Sequence, residues 1–465
     1  MSRERDILKN TAIYAIGNFG SKILVYVIVL IYTHYITPNE LGYYDIILVT
    51  ISLVLPIAMC SLDEGIYRWL IGVKDENIIE IISTCTKTII VITSIIGCIL
   101  LLLNHFFYIQ YVILIILLLS SMAIYQLFLN VVRGLSNSKI YAVSGIVNSS
   151  IDLSLEFIGL VFFKMGVEVL LISKIIANLI TLGYLCFKQK ELRSCLKGKF
   201  NISILKSLLS YSLPLIPNSL SWWIVNSSDR YIILFFLGSV YNGIYSIANK
   251  FPTVITTITG IAYFSLQESI IKEYNSSDRD QFYSKIFEKY YTILFLIIIC
   301  VIPATRLIVQ WLVGIDYCEA WKFTGFLYIG AVFSALSAFL GIGYQISRET
   351  KRSVVSTVSA AILNIGINLL LINLIGLYAV SFSTMIAYIF LFGLRIKHSK
   401  KYFRLQVQWK NFVLLVFSAY ISIIISYLPN ILIVIFAEVI IILLVLSINR
   451  KLIFDFVGII KKRSS

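Results

Sequence analysis

Charged residues are scarce in this sequence. Only 14% of its 465 residues are Asp, Glu, Lys or Arg, whereas 59% are hydrophobic, and soluble domains carry about 25% charged residues. Long polar loops are absent too, because the longest stretches between apolar segments, 188–207 and 265–284, are only about twenty residues and cannot fold as a separate domain. These absences exclude a soluble enzyme and a single-anchor protein with a large soluble head.

Motifs for metal, disulfide or nucleotide chemistry are also lacking. The seven cysteines form no C-x-x-C pair, and the three histidines have no metal-ligand spacing. No Walker A sequence is present, which argues against direct ATP hydrolysis. One D-x-D motif, Asp278-Arg279-Asp280, resembles a sugar-nucleotide metal site, but we interpret it as a solvated charged loop. We therefore expect no cofactor and no bound metal.

Long, continuous apolar segments account for most of the chain. A transmembrane helix needs about 20 apolar residues, so the composition leaves room for about fourteen such helices. We predict an all-α polytopic membrane protein with about 14 transmembrane helices. The predicted helices span 10–36, 41–69, 83–104, 109–133, 140–163, 167–187, 208–237, 241–264, 285–305, 321–346, 353–373, 376–395, 411–428 and 430–449.

The positions of the basic residues predict the orientation. If both termini are cytoplasmic, most of the 39 Lys and Arg residues fall in cytoplasmic segments, and only Lys164, Arg306 and Lys322 fall in outer ones. Such a bias is typical of multi-pass proteins, in which Lys and Arg collect on the cytoplasmic side. The net charge of +15 therefore indicates membrane topology, and we expect no nucleic-acid partner.

The two halves of the sequence resemble each other. Segments 36–46 and 237–247 share Gly, Tyr and Ile in the same order and spacing. This favours two parallel six-helix bundles around a central cavity, because such repeats usually place a site between them. We predict a first bundle at 1–190, a cytoplasmic linker at 191–207, a second bundle at 208–397, and a C-terminal helix pair with a basic tail at 398–465.

Several stretches resemble a known family. They are Asn10-Thr11-Ala12-Ile13 with Gly17–Lys22, then Tyr35–Ile46, Asp63–Trp69, and Ser228–Ile233 with Gly243–Lys250. They are similar to bacterial polysaccharide repeat-unit flippases of the Wzx type, within the multidrug/oligosaccharidyl-lipid/polysaccharide exporter superfamily. The resemblance covers the first twelve predicted helices.

The resemblance implies a function that the residues alone do not reveal. It implies a MATE-like transporter, not an enzyme, that flips undecaprenyl-diphosphate-linked oligosaccharide, for O-antigen or capsule, from the cytoplasmic to the outer leaflet by alternating access. The implied location is the bacterial cytoplasmic (inner) membrane. The implied partners are the lipid-diphosphate-linked oligosaccharide and membrane lipids. A polysaccharide polymerase, other assembly proteins, and H⁺ or Na⁺ as a coupling ion stay open.

Two other classes of function also stay open. A flippase for lipid-linked peptidoglycan precursors or a multidrug exporter would keep the fold and change the cargo. A membrane-embedded glycosyltransferase or polysaccharide polymerase would need a sizeable extramembrane loop, which this chain lacks.

Basic residues inside predicted helices are the first candidate site. Arg230 and Lys250 lie ten residues before and after the turn near 240, so both would lie about 15 Å below that turn. Two cations at one depth repel each other unless water, an acid or an anion lies between them. Asp229 neighbours only one of them and is a further candidate for ion coupling. With Lys22, we expect Arg230 and Lys250 to line a basic, water-filled chamber that binds the diphosphate.

Acidic residues on the fifth predicted helix are the second candidate. Asp152 and Glu156 are four residues apart and near mid-membrane, where charges are costly and usually functional. Glu156 and Lys174 lie at equal distances from the turn near 165, so we predict that they form an ion pair. Asp152 would then stay unpaired and could bind a coupling ion.

A third group, near the cytoplasmic end of the second predicted helix, contains Asp63, Glu64 and Arg68. Glu64 and Arg68 are four residues apart, which predicts an ion pair on one helix face. We expect these three residues at the cytoplasmic mouth of the transport path.

Overall fold

The computed structural model describes residues 26–450 except 72–77, 196–197, 273, 275 and 347–349. These described residues form helices and connecting turns, with no β-strand among them. Contacts divide the chain into two units, Met1–Arg230 and Tyr231–Ser465.

Nine α-helices are described in the first unit, and the ninth continues for a few residues into the second unit. They are α1 (Pro38–Ala58), α2 (Leu62–Leu70), α3 (Ile78–Phe106), α4 (Val112–Gly134), α5 (Ser138–Val161), α6 (Glu168–Lys188), α7 (Lys190–Arg193), α8 (Ile202–Ser212) and α9 (Ile216–Phe236).

The second unit continues with seven more α-helices in its described part. They are α10 (Ser239–Lys272), α11 (Arg279–Leu312), α12 (Trp321–Ile346), α13 (Thr350–Ile375), α14 (Leu377–Ser399), α15 (Trp409–Ser426) and α16 (Ile431–Ile448).

Eleven of these helices are long and apolar enough to cross a membrane. They are α1, α3–α6 and α11–α16. The prediction of an all-α polytopic membrane protein is therefore confirmed. Helices α9 and α10 correspond to the seventh and eighth predicted helices. The first predicted helix, 10–36, lies mostly outside the described residues, although 26–32 are helical, so the count of fourteen stays a prediction.

The turn predicted at residues 37–40 starts α1. The Thr37 hydroxyl accepts a hydrogen bond from the Glu40 backbone N–H at 3.4 Å, and the Thr37 N–H donates to Glu40 Oε2 at 3.0 Å. This reciprocal capping satisfies two backbone donors that a helix start leaves free. Pro38 fits the first helical position because that position needs no N–H donor.

The second predicted helix, 41–69, is not continuous. It divides into α1 and α2 because the chain turns at Cys60 and Ser61, whose φ angles are 49° and 48°. The N–H of Cys60 donates to the carbonyl of Ile57, and that of Ser61 to the carbonyl of Pro56, both at 3.0 Å. These two bonds form the pattern that closes a helix end with a left-handed residue.

The seventh predicted helix, 208–237, is also interrupted. It comprises the end of α8, a 3₁₀ turn at Leu213–Leu215, and α9. Pro214 and Pro217 lie at this junction and cannot donate backbone hydrogen bonds, which explains the break. Residues 202–207 of the predicted linker, 191–207, belong to α8. The other domain boundaries stay predictions.

Aromatic side chains form the core of the second unit. Phe392 of α14 stacks between Phe287 of α11 and Phe412 of α15, with ring centroids 6.4 and 5.7 Å away. Phe333 of α12 packs against the edge of the same group, 5.4 Å from Phe392. In the first unit, α5 and α6 form a hairpin that packs on α4, and this hairpin holds the candidate site.

Candidate functional site

Three charged side chains meet inside the α5–α6 hairpin. The Lys174 Nζ atom lies 2.6 Å from Asp152 Oδ2 and 3.6 Å from Glu156 Oε1. The Ser173 hydroxyl donates to Glu156 Oε1 at 3.4 Å. Buried Tyr44, from α1, lies within electrostatic reach of all three charges. We call Asp152, Glu156 and Lys174 the charge triad.

The charge triad confirms one part of the predicted pairing and corrects another. Lys174 does lie within ion-pair distance of Glu156, as the equal spacing about the turn predicted. The prediction that Asp152 stays unpaired is wrong, because Asp152 is the nearer partner of Lys174. Two carboxylates one helical turn apart face α6 together, and the long lysine side chain reaches both.

The charge triad is rich in acceptors. Two carboxylates share one ammonium group, so the fully ionised group has an excess of one negative charge. Asp152 Oδ1 is buried and has no hydrogen-bond partner among the described residues. A buried carboxylate oxygen without a partner is costly, and a proton or a small cation there would supply the missing positive charge.

Amide and hydroxyl side chains continue from the charge triad along the same helices. Asn148, one turn before Asp152, donates to Asn178 Oδ1 at 3.2 Å and to Thr181 Oγ1 at 3.3 Å. Asn178, one turn after Lys174, donates to the Ser121 hydroxyl of α4 at 3.3 Å. These side chains join α4, α5 and α6 in one polar network.

The polar network borders a cavity of about 600 Å³ within the first unit. The cavity extends from the charge triad to the start of α2 and the end of α4, and polar side chains outnumber apolar ones on its walls. Its lining residues are Leu48, Glu64, Met122, Tyr125, Gln126, Leu129, Asn130, Arg133, Tyr141, Asn148, Asp152, Lys174 and Asn178. Polar groups of this kind can bind water, ions or hydroxyl-rich ligands.

Two of the three predicted mouth residues, Asp63 and Glu64, lie at or beside the other end of this cavity. Asp63 is buried and accepts hydrogen bonds from Gln126 at 2.8 Å and Asn130 at 3.5 Å. Glu64 lines the cavity, in the electrostatic field of Arg133 from α4.

The predicted ion pair between Glu64 and Arg68 is wrong. No ion pair within 4 Å joins these two described residues, although they are one turn apart on α2. Both side chains are exposed, but only Glu64 lines the cavity. The cation that acts electrostatically on Glu64 is Arg133 and not Arg68. The Arg133 guanidinium also lies over the Tyr67 ring, 4.4 Å from its centroid.

The structure describes two of the three cations that were predicted to line a basic chamber. Arg230 is buried and forms an ion pair with Asp45 of α1, with its Nε atom 3.4 Å from Asp45 Oδ2. Lys22 lies outside the described residues. Lys250 is half-buried on α10, and Asp229 is buried on α9. The basic chamber stays a prediction.

Sequence reasoning missed several groups that the fold brings together. Asp45 has no local signal, because its partner is 185 residues away in the chain. Asn148 and Asn178 do have one, since each lies one helical turn from a member of the charge triad. Glu438, buried on α16, is a further intramembrane acid. Within the described part of the chain, no group of three or more His, Cys, Asp or Glu side chains is placed to bind a metal.

Two solved structures have a similar fold. The lipid II flippase MurJ, in an inward closed conformation, matches with a TM-score of 0.70 and 16% identity, over 95% of this chain and 99% of that one. An inward-facing multidrug resistance MATE family transporter of the MOP superfamily matches with a TM-score of 0.63 and 15% identity, over 84% and 95%. The protein is an integral membrane protein with the fold of these transporters.

The sequence itself places the chain in a family. The model of the polysaccharide biosynthesis protein family matches residues 7–264, more than half of the chain. The chain therefore belongs to the polysaccharide biosynthesis protein family, which confirms the relationship that its motifs indicated. A comparison with curated proteins finds no match.

Proposed function

We propose that this protein flips a lipid-diphosphate-linked oligosaccharide repeat unit, such as an O-antigen or capsule unit, from the cytoplasmic to the outer leaflet of the bacterial cytoplasmic membrane. It works by alternating access and catalyses no covalent chemistry. Family membership and the transporter fold support this proposal. The sequence motifs add support, since they resemble those of Wzx-type flippases.

The observation that carries the proposal is the charge triad at the end of a polar cavity inside the first unit. Intramembrane charges are expensive, and they usually mark a substrate or ion pathway. We propose that this cavity is part of the machinery that drives transport.

In this proposal the charge triad exchanges a coupling ion. Binding of H⁺ or Na⁺ at the carboxylates compensates their excess negative charge, and release of the ion leaves Lys174 to hold both acids. The two charge states favour different packing of α5 against α6 and α1, because Asp152 and Glu156 compete for one ammonium group. A ligand shifts a conformational equilibrium only through such a difference between states.

The membrane potential supplies a second driving force. Moving one charge across the membrane is worth about 2.3 kcal/mol per 100 mV, so a diphosphate with two negative charges gains up to about 4.6 kcal/mol per 100 mV on moving outward. The proposed positive groups Lys22, Arg230 and Lys250 compensate the diphosphate during transit. Arg230 already shares its charge with Asp45, so Lys22 and Lys250 contribute most of this compensation in the proposal.

Purified protein in liposomes tests the proposal. The substrate is a fluorescent undecaprenyl-diphosphate oligosaccharide, and flipping is read from its exposure to an impermeant glycosidase. We expect flipping by the wild type, loss with Asp152→Asn and with Lys250→Glu, and retention with Lys250→Arg. Lys188→Gln, an exposed lysine at the end of α6, is the matched control.

The same liposomes separate the alternatives. Flipping of lipid II but not of the oligosaccharide lipid would replace the proposed cargo by a peptidoglycan precursor. Expulsion of a cationic dye would favour a multidrug exporter. Elongation of the saccharide would favour a polymerase. In cells, depletion should cause a lipid-linked saccharide to accumulate on the inner leaflet, and its composition would identify the natural cargo and the assembly proteins that depend on it.

A further inference from the structure

A second cavity lies in the second unit, far in sequence from the charge triad. Its volume is about 1,050 Å³. It is bordered by the first turns of α11, the start of α15 and the end of α16. Its lining residues are Lys285, Glu288, Lys289, Gln408, Trp409, Lys410, Asn411, Leu414, Ile448 and Asn449. We call this cavity the basic cleft.

The charge of the basic cleft is positive. Lys285, Lys289 and Lys410 contribute three ammonium groups, and Glu288 contributes one carboxylate. Among the ion pairs within 4 Å in the described residues, none involves these three lysines. The lysines are therefore available to an anion of one or two charges.

The walls of the basic cleft also offer neutral polar groups. Asn411 donates to Asn449 Oδ1 at 2.9 Å, and Asn449 donates to the Val445 carbonyl at 2.9 Å, so the start of α15 is fixed to the end of α16. Asn411 Oδ1 is buried and has no hydrogen-bond partner among the described residues. Gln408 is exposed on the wall of the cleft, and its amide oxygen can accept hydrogen bonds from the hydroxyl groups of a ligand.

The rim of the basic cleft is apolar and faces outward. Trp409 is 53% exposed and Ile448 is 58% exposed. One turn closer to the middle of each helix, Val413 is 61% exposed and Leu444 is 56% exposed. Helices α15 and α16 are both long and apolar enough to span a membrane, so their ends mark a membrane surface. Tryptophan is enriched at that depth.

We propose that the basic cleft binds the phosphodiester headgroup of an anionic phospholipid, with its acyl chains on the exposed apolar faces of α15 and α16. The lysines hold the phosphate, and the amides receive the hydroxyls of a glycerol headgroup. A free phosphate ion is also an anion, but it has no apolar part that could contact the rim, so we assign a lipid. Under the predicted topology this lipid belongs to the cytoplasmic leaflet, where basic pockets between helix ends bind such headgroups.

Trp409 makes the proposal testable in the intact protein. The protein is reconstituted in phosphatidylcholine vesicles that contain brominated phosphatidylglycerol or, in a parallel sample, brominated phosphatidylcholine. The fluorescence of the Trp409→Phe variant is subtracted, so that the difference reports quenching at Trp409. We expect saturable quenching by phosphatidylglycerol that exceeds the quenching by phosphatidylcholine at every fraction.

Lysine variants assign the selectivity to the cleft. We expect each single substitution, Lys285→Gln, Lys289→Gln or Lys410→Gln, to weaken the apparent affinity for phosphatidylglycerol about fivefold, and the triple variant on the order of 100-fold. The matched control substitutes three exposed lysines near the end of α6, at Lys188, Lys190 and Lys199, on the same predicted side of the membrane. We expect this control to quench like the wild type.

Three outcomes would overturn the proposal. They are equal quenching by the two brominated lipids, the same loss in the control as in the cleft variant, and reversal of the quenching by inorganic phosphate, which would make the cleft a free-anion site. If the triple variant fails to insert, the single variants, each with one lysine changed, decide the question. The assay contains no oligosaccharide lipid, so its result is independent of the proposed flippase activity.

Discussion

The guanidinium of Arg230 on α9 forms an ion pair with the carboxylate of Asp45 on α1, with 3.4 Å between Nε and Oδ2. The two side chains are only 9% and 14% exposed. This pair changes the interpretation of Arg230, because a cation that the sequence assigns to an anionic substrate already has an internal counterion. It also ties α9 to α1, beside the hydrogen bond from Trp223 Nε1 to the Val49 carbonyl at 3.0 Å.

The first prediction concerns this pair. Asp45→Asn and Arg230→Gln should each lower the stability of the detergent-solubilised protein by roughly 3 kcal/mol, since each removes a close counter-charge from a buried ionised group. The double substitution should recover a large part of this loss. The stability of each variant is measured by heating the protein and recording the loss of the monodisperse peak on size exclusion. Additive losses would mean that the two residues act independently.

The second prediction distinguishes the two carboxylates of the charge triad. In double-mutant cycles with Lys174→Gln, Asp152→Asn should show a coupling energy of about 1.5–3 kcal/mol, as for a hydrogen bond between charged groups. Glu156→Gln should show a smaller one, because its oxygen lies 3.6 Å from Nζ instead of 2.6 Å. The amount of folded protein in the membrane and its thermal stability are the measurements. A larger coupling for Glu156 would contradict the geometry.

These two pairs show what the sequence can and cannot predict. Glu156 and Lys174 lie at equal numbers of residues before and after the turn near 165. This predicted that they lie at the same depth, because both helices of a hairpin rise by the same distance per residue. It could not rank Glu156 against Asp152, because that depends on which way the lysine side chain extends. The Asp45–Arg230 pair had no signal at all, since it depends on the packing of helices that are far apart in the chain.

For the fold as well, the apolar pattern predicted where the helices lie but not where they break. Continuous apolar segments predicted the helices from α3 to α6 and from α10 to α16 to within a few residues at most ends, because hydropathy alone specifies membrane spans. The break at Cys60 and Ser61 was missed, since neither residue is a typical helix breaker. The break before α9 was missed although Pro214 and Pro217 mark it, because kinked helices also contain proline.

The third prediction concerns the turn between α13 and α14. Gly376 has φ 57° and ψ −135°, a conformation that is open almost only to glycine. Gly376→Ala should therefore destabilise the protein by about 1–3 kcal/mol. Gly366→Ala is the matched control, because Gly366 lies inside α13 with open space around it, and alanine favours a helix. Equal thermal stability of the two variants would show that the turn tolerates a side chain.

The fourth prediction concerns Glu438, which is buried in the apolar helix α16. The Ser422 hydroxyl of α15 donates to Glu438 Oε1 at 2.7 Å. No cation lies within 4 Å of Glu438 in the part of the chain that the structure describes. We expect Glu438→Gln to preserve expression and thermal stability, since glutamine keeps the shape and the hydrogen bond without a charge. Glu438→Lys should reduce insertion, because a lysine there costs roughly 3 kcal/mol. Poor stability of the glutamine variant would show that the protein needs the carboxylate itself.

The fifth prediction is the topology on which the direction of the proposed transport depends. The distribution of Lys and Arg predicts that the α5–α6 turn lies outside the cell and the segment between α14 and α15 in the cytoplasm. Lys164 and Lys400 are exposed residues in these two places. In a variant without the seven native cysteines, Lys164→Cys should react with an impermeant maleimide in intact cells. Lys400→Cys should react only after permeabilisation. Labelling of Lys400→Cys in intact cells would invert the map, and the basic cleft, which begins a few residues later at Gln408, would then face the outer leaflet.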